Sequence, residues 1–75
     1  MTKRNIAPIV LALRQRRKLK ELSQVALSER MGYGPNIIWS WETGYSTPSL
    51  QRLIDWAQAL DLELTLKERD GQQDD

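Results

Sequence analysis

The chain has 75 residues, which is enough for one domain and not for two. It contains no cysteine and no histidine, which excludes a disulfide framework and the usual zinc ligands as sources of stability. No apolar run approaches the roughly 20 residues of a membrane span and no signal-peptide pattern begins the chain, so a cytoplasmic protein is expected.

The net charge is only +1, but it is unevenly distributed. Residues 1–40 carry eight Lys and Arg against two Glu, a balance of +6, whereas residues 41–75 carry three against eight acidic residues, a balance of −5. Such a distribution is typical of a protein that approaches a polyanion with one face. The alternative is that the basic run at 14–20 is only the solvated end of a helix.

A first helix is predicted from about Asn5 to Lys18. Its apolar residues recur at the spacing of one helix face. Pro8 is tolerated only in the first turn and predicts a start between Thr2 and Asn5. The apolar face comprises Ile6, Ile9, Val10 and Leu13.

Two short helices follow, joined by a turn that contains glycine. Ser23 is a good N-cap for the second helix, which Gly32 terminates. The third helix is predicted to begin at Pro35, after Gly34, and to end at Gly44. Paired helices of this kind form a helix-turn-helix, whose second helix can lie in the major groove of DNA. One side of the third helix carries Ile37, Ile38 and Trp41, and the other side carries Asn36, Trp39, Ser40 and Thr43.

A fourth helix is predicted to start at Thr47-Pro48, by the same logic of a cap followed by proline. Residues 62–67 then alternate apolar and polar side chains, which predicts a strand. Residues 68–75 are polar and acidic and are expected to be a disordered tail. The side chains of the fourth helix expected to face inward are Leu50, Leu53, Ile54, Ala57 and Leu60.

The single strand needs a partner, because one strand cannot satisfy its own backbone hydrogen bonds. We expect it to pair with the same strand of a second copy across a two-fold axis, which makes a homodimer. The alternatives are that residues 61–67 extend the fourth helix or pack as an extended tail. The side chains expected to be buried by dimerisation are Leu62, Leu64 and Leu66.

Several polar and aromatic residues around the third helix are candidates for contacting DNA. The Asn36 amide can bond to adenine in the major groove, although local capping is an alternative role. Trp39 would contact a thymine methyl or a sugar edge, or fold back over the second helix or the Tyr45 loop. Gln24 can hold a phosphate at the start of the second helix. The hydroxyls of Tyr45, Ser46 and Thr47 can meet neighbouring phosphates, although Thr47 better fits the cap of the fourth helix.

Residues 13–66 resemble the Cro/repressor-type (Xre) helix-turn-helix family. The resemblance implies an all-α, four-helix, lambda-repressor-like domain, here over residues 1–67, with Pro35, Asn36 and Ser40 facing base edges. It implies that Gln24 touches a phosphate and braces the third helix, and that residues after Gly44 meet the DNA backbone. The matching residues are Ser23-Gln24, Leu27, Gly32, Ile38, Trp41-Glu42, Gly44, Pro48-Ser49-Leu50, Leu53, Ala57 and Leu60.

The family also pairs the counterpart of Glu42 with an arginine of the first helix. Counting back from Gln24 selects Arg17, whereas the Leu13-Arg14 dipeptide selects Arg14. The connection from 18 to 22 lacks the usual glycine, and Ser28 stands where alanine is usual. Since proline cannot donate a hydrogen bond to a base and Ser40 is short, more of the readout is expected to fall on Asn36 and Trp39.

The C-terminal strand resembles that of HipB-type antitoxins, whose paired strands cap the dimer. The predicted function is a repressor that binds double-stranded DNA as a homodimer on a palindromic operator, in the cytoplasm and associated with the nucleoid. The alternative is an antitoxin that neutralises a cognate toxin and represses its own operon. No cofactor, metal, membrane or enzymatic activity is expected, since the scattered carboxylates form no enclosed site. The predicted DNA-binding residues are Gln24, Pro35, Asn36, Trp39, Ser40, Thr43 and Tyr45.

Overall fold

The computed structural model describes residues 6–66. That part of the chain contains four helices and no strand, so the predicted all-α, four-helix class is confirmed for it. The predicted tail at 68–75, and Lys67 at the end of the predicted strand, lie outside the described residues. The helices are α1 (Pro8–Leu19), α2 (Gln24–Arg30), α3 (Ile37–Glu42) and α4 (Leu50–Ala59).

The helix starts are set by caps and prolines, and three of the four differ from the prediction. α2 begins after Ser23, whose side chain accepts a hydrogen bond from the Ala26 N–H at 2.9 Å, as predicted. α1 begins at Pro8 itself, so the start predicted between Thr2 and Asn5 is wrong. The reason is that a residue before proline, here the extended Ala7, is disfavoured in helical conformation.

The starts of α3 and α4 also lie downstream of the predicted prolines. α3 begins at Ile37 after Asn36, which makes no side-chain capping bond, so Pro35 precedes the helix. α4 is capped by Ser49, whose Oγ accepts the Arg52 N–H at 3.2 Å. The prediction that Thr47 caps this helix is therefore wrong.

Three helices end in the same way, with a residue of positive φ followed by a backbone bond back into the last turn, as in a Schellman motif. At the end of α1 the Leu22 N–H donates to the Arg17 carbonyl at 3.2 Å. The equivalent bonds run from Tyr33 to Ser28 at 3.0 Å and from Leu62 to Ala57 at 2.8 Å. The residues of positive φ at these three ends are Glu21 (57°), Gly32 (83°) and Asp61 (62°), and Gly44 after α3 also has a positive φ of 79°.

The core lies where the four helices meet and is built around Trp56, which is completely buried. Trp56 was not among the predicted inward residues of α4. Leu50, which was, is 72% exposed, because it is the first residue of the helix and lies beyond the edge of the core. The other buried apolar residues are Val10, Leu13, Leu27, Ile38, Trp41, Ala57 and Leu60.

Residues 62–66 continue from α4 without helix or strand pairing inside the described chain. The alternative that they extend the fourth helix is excluded, since α4 ends at Ala59. Leu62 and Leu64 pack against the core, whereas Leu66 is fully exposed. Together with Ile9 and Leu53, these residues line an apolar groove of about 800 Å³.

Candidate nucleic-acid interface

The start of α3 is held by a side chain of α2. The Ser28 side chain is completely buried, and its hydroxyl donates to the Gln24 carbonyl at 2.8 Å. The same oxygen accepts the Ile38 N–H at 3.1 Å. Ile38 is in the first turn of α3, where backbone N–H groups have no partner within the helix. Ser28 is therefore a cap for α3 supplied from a neighbouring helix, a role that the sequence reasoning missed.

The end of α3 is held by a cluster of charged and polar side chains around Glu42, which is only 3% exposed. Arg17 donates to both carboxylate oxygens, from Nε to Oε2 at 2.7 Å and from Nη2 to Oε1 at 2.9 Å. The Nη1 of the same guanidinium donates to the Leu22 carbonyl at 2.8 Å. Gln24 Nε2 donates to Glu42 Oε1 at 3.0 Å. The cluster joins α3 to α1 and to the first residue of α2.

Of the two arginines predicted as partners of Glu42, Arg17 is the one that hydrogen-bonds to its carboxylate. Arg14 Nε lies 3.9 Å from Glu42 Oε1, and the Arg14 side chain is 45% exposed. Arg14 therefore contributes charge at the edge of the cluster without a hydrogen bond. Gln24 was expected to brace α3 and to touch a phosphate. Its amide donates one of its two hydrogens to Glu42.

Other cations of the basic run are engaged within the fold. Arg16 Nε donates to the Leu60 carbonyl at 3.1 Å, and Lys20 Nζ lies 2.7 Å from Asp61 Oδ2. The hydrogen bond and the charge of Lys20 lower the pKa of Asp61. Lys18, in contrast, is exposed. The run at 14–20 is thus only partly a solvated helix end.

The outer side of α3 combines satisfied hydroxyls with exposed side chains. The Ser40 and Ser46 hydroxyls hydrogen-bond to each other, and the Ser46 N–H donates to the Ser40 carbonyl at 3.1 Å. The Thr43 hydroxyl donates to the Trp39 carbonyl at 2.8 Å. Asn36 is exposed and makes no capping bond, and Pro35 beside it is also exposed. The amide of Asn36 is therefore presented to solvent.

Trp39 packs against Tyr45 in the loop after α3. The two ring centroids are 5.6 Å apart and the planes are inclined by 40°. This is one of the alternatives that the sequence left open. Even so, Trp39 remains 43% exposed and Tyr45 remains 65% exposed. The pair therefore forms an aromatic surface beside Asn36.

A second group of aromatic residues packs the turn between α2 and α3 against α4. Trp41 and Trp56 lie with their centroids 5.3 Å apart, and Tyr33 meets Trp41 edge-on at 6.0 Å. The Arg52 guanidinium carbon lies 5.0 Å from the centre of the Tyr33 ring. These contacts fix the turn on α4, so the short α3 is supported at its start, at its end and beneath.

A helix-turn-helix family model matches residues 13–67, which is more than half of the chain. The chain belongs to this Cro/repressor-type helix-turn-helix family. The family is one of DNA-binding transcription regulators and not of enzymes, and the chain is accordingly a DNA-binding regulator. No curated protein matches the chain.

Two further observations concern the part of the chain that the structure describes. Within residues 6–66, no helix is long and apolar enough to cross a membrane. Within the same residues, no group of three Cys, Asp or Glu side chains is placed to hold a metal ion.

Proposed function

We propose that this regulator is a repressor that binds a palindromic operator as a homodimer, with α3 in the major groove. The observation that carries the proposal is the way in which α3 is fixed. Ser28 caps its start and the Arg17–Glu42 pair anchors its end, while Asn36 and Trp39 remain exposed. A helix that is held on one side and exposes amide and aromatic groups on the other is suited to reading base edges.

Asn36 is proposed as the principal base-reading residue, with adenine as its target. Its neighbours contribute less, because the hydroxyls of Ser40 and Thr43 already have partners inside the protein. Pro35 offers only van der Waals contact. The second amide hydrogen of Gln24 is proposed to reach a phosphate, with Tyr45 placed near the next phosphate along the strand.

The homodimer is proposed to form at the apolar groove of residues 62–66. Leu50 is 72% exposed there and Leu66 is fully exposed, which is a large apolar surface for a monomer in water. The segment 62–66 also has no strand partner inside the described chain. A second copy pairing along this segment would satisfy the backbone and cover Leu64 and Leu66. Two copies related in this way would present two α3 helices to half-sites about one turn of DNA apart.

Selection from a randomised library of DNA duplexes tests the base-reading role. Asn36→Ala should weaken binding to the selected duplex by about 1–3 kcal/mol and change binding to a scrambled duplex little. Gln15→Ala, which removes an exposed amide from α1, is the matched control and should bind both duplexes as the wild type does. Equal losses on the two duplexes would remove Asn36 from the readout.

The dimer is tested by Leu66→Glu. Because Leu66 is fully exposed in the single chain, the change should leave the fold intact and still disrupt the dimer. Gln15→Glu adds the same charge at an exposed residue of α1 outside the groove and should preserve the dimer. If the wild-type protein is itself a monomer, the groove is available to a different chain. The antitoxin function, with a toxin as that chain, would then be favoured.

A further inference from the structure

We propose that Trp39 reads the methyl group of a thymine in each half-site and that Tyr45 positions the indole for this contact. The inference rests on the proposed binding of DNA by α3 and specifies which base feature the exposed aromatic surface recognises. It makes Trp39 a specificity-determining residue and Tyr45 a positioning residue.

The placement of Trp39 favours this role. Asn36 immediately precedes α3 and Trp39 is the third residue of that helix, so the two lie three residues apart at the same end of α3. Both are exposed, although Ile38 and Trp41 of the same short helix are buried. If Asn36 bonds to an adenine, the thymine of that base pair displays its methyl group in the same groove. Trp39 is thus close to at least one thymine methyl whenever Asn36 reads adenine.

The chemistry of the exposed indole also favours a thymine methyl. Exposed indole surface gains most from an apolar contact that removes it from water. Base edges in the major groove carry hydrogen-bond donors and acceptors, and thymine adds a methyl group that the other three bases lack. The aromatic surface formed by Trp39 and Tyr45 therefore has one apolar complement on the base edges.

The indole of Trp39 is also held in place before DNA binds. The Tyr45 ring packs against the indole with the two ring centroids 5.6 Å apart. An aromatic side chain that is already supported loses little conformational freedom on binding. Trp39 remains 43% exposed in spite of this contact, so Tyr45 supports the indole without covering it completely.

The experiment replaces each thymine of a duplex selected from a random library, one position at a time, with deoxyuridine. This substitution removes only the methyl group and keeps the base pairing. For the wild-type protein, one thymine in each half-site should show an affinity loss of about threefold to tenfold, as expected for one buried methyl contact. Trp39→Ala should bind the thymine duplex more weakly and should no longer distinguish it from the deoxyuridine duplex.

Tyr45 separates positioning from direct contact. Tyr45→Phe keeps the packing ring and should retain the preference for thymine, whereas Tyr45→Ala should reduce the preference. Equal affinity of the wild type for thymine and deoxyuridine at every position would overturn the inference. A preference that survives Trp39→Ala would do the same.

Failure of the inference can be told apart from failure of the proposed function. If no duplex is enriched in the selection, the proposed base-reading function of α3 fails. If a duplex is enriched and Asn36→Ala weakens its binding, but no thymine is sensitive to loss of its methyl group, only the inference about Trp39 fails. Because the deoxyuridine series uses the wild-type protein, it tests the inference even if Trp39→Ala does not fold.

Discussion

Arg17 and Glu42 form a bidentate ion pair that joins the basic end of α1 to the last residue of α3. Both residues are less than a tenth exposed, and the third guanidinium nitrogen is bonded to the Leu22 carbonyl. The helix proposed to lie in the major groove is therefore anchored by a buried ion pair.

Arg17→Ala should lower the free energy of unfolding by about 3–5 kcal/mol, because it leaves the Glu42 carboxylate buried without its main partner. Arg14→Ala is the matched control and should cost at most about 1 kcal/mol, since Arg14 is half exposed and makes no hydrogen bond to Glu42. Urea denaturation measures both. Similar losses for the two variants would show that the buried pair is not the anchor.

Ser28→Ala should lower the free energy of unfolding by about 1–2 kcal/mol, because the buried Ile38 N–H loses the hydroxyl that accepts its hydrogen bond. It should also weaken operator binding, since the first turn of α3 is released. Ser49→Ala removes the cap of α4 instead and should cost about 1 kcal/mol with little effect on DNA affinity. The prediction fails if the two serine variants lose affinity to the same extent.

Glu21→Gly should stabilise the protein by about 0.5–1 kcal/mol, because Glu21 has a φ of 57°, in the left-handed region that favours glycine. Asp61→Gly relieves similar backbone strain at φ 62° but also removes the partner of Lys20, so its gain should be smaller. Thermal unfolding monitored by circular dichroism compares them. A loss of stability in Glu21→Gly would contradict this explanation of the turn.

The Lys20–Asp61 pair predicts a dependence of stability on pH. The pKa of Asp61 is lowered from 3.8 by the hydrogen bond and charge of Lys20, so the unfolded chain binds the proton more tightly than the folded chain. The stabilisation is therefore present above the unfolded pKa and is lost as the pH falls through the lower folded value. Asp61→Asn should be less stable than the wild type at neutral pH, and the difference should shrink as the pH falls below the unfolded pKa of Asp61. A difference that persists at the acidic end would exclude this cause.

Much of this fold could be predicted from the sequence, because short-range signals determine it. Ser23 and Gly32 marked both ends of α2 correctly. The periodicity of α1 identified Val10 and Leu13 as core residues. At α4 the sequence predicted a cap at Thr47, followed by Pro48, whereas Ser49 is the cap in the structure.

The remaining features depend on tertiary contacts that no local pattern encodes. Nothing near Ser28 in the sequence indicates that its hydroxyl caps a helix that begins nine residues later. Counting from Gln24 did select Arg17, but only the packing of α1 on α3 decides between it and Arg14. Trp56 is an exception, because it lies three residues after Leu53 and four before Leu60, on the helix face that the spacing indicates, and was not predicted although it is completely buried.

The central claim is that two copies of this chain place their α3 helices on one DNA duplex. The most direct test is the mass of the protein alone and on the selected duplex, measured by sedimentation equilibrium over a series of salt concentrations. The account predicts a free dimer of about 17 kDa, twice the 8.7 kDa of one chain, and two chains per duplex. It also predicts an affinity that falls with salt with a logarithmic slope of about −4 or steeper, as expected when several phosphates are neutralised. A monomer of 8.7 kDa that does not bind DNA at low salt would contradict the account.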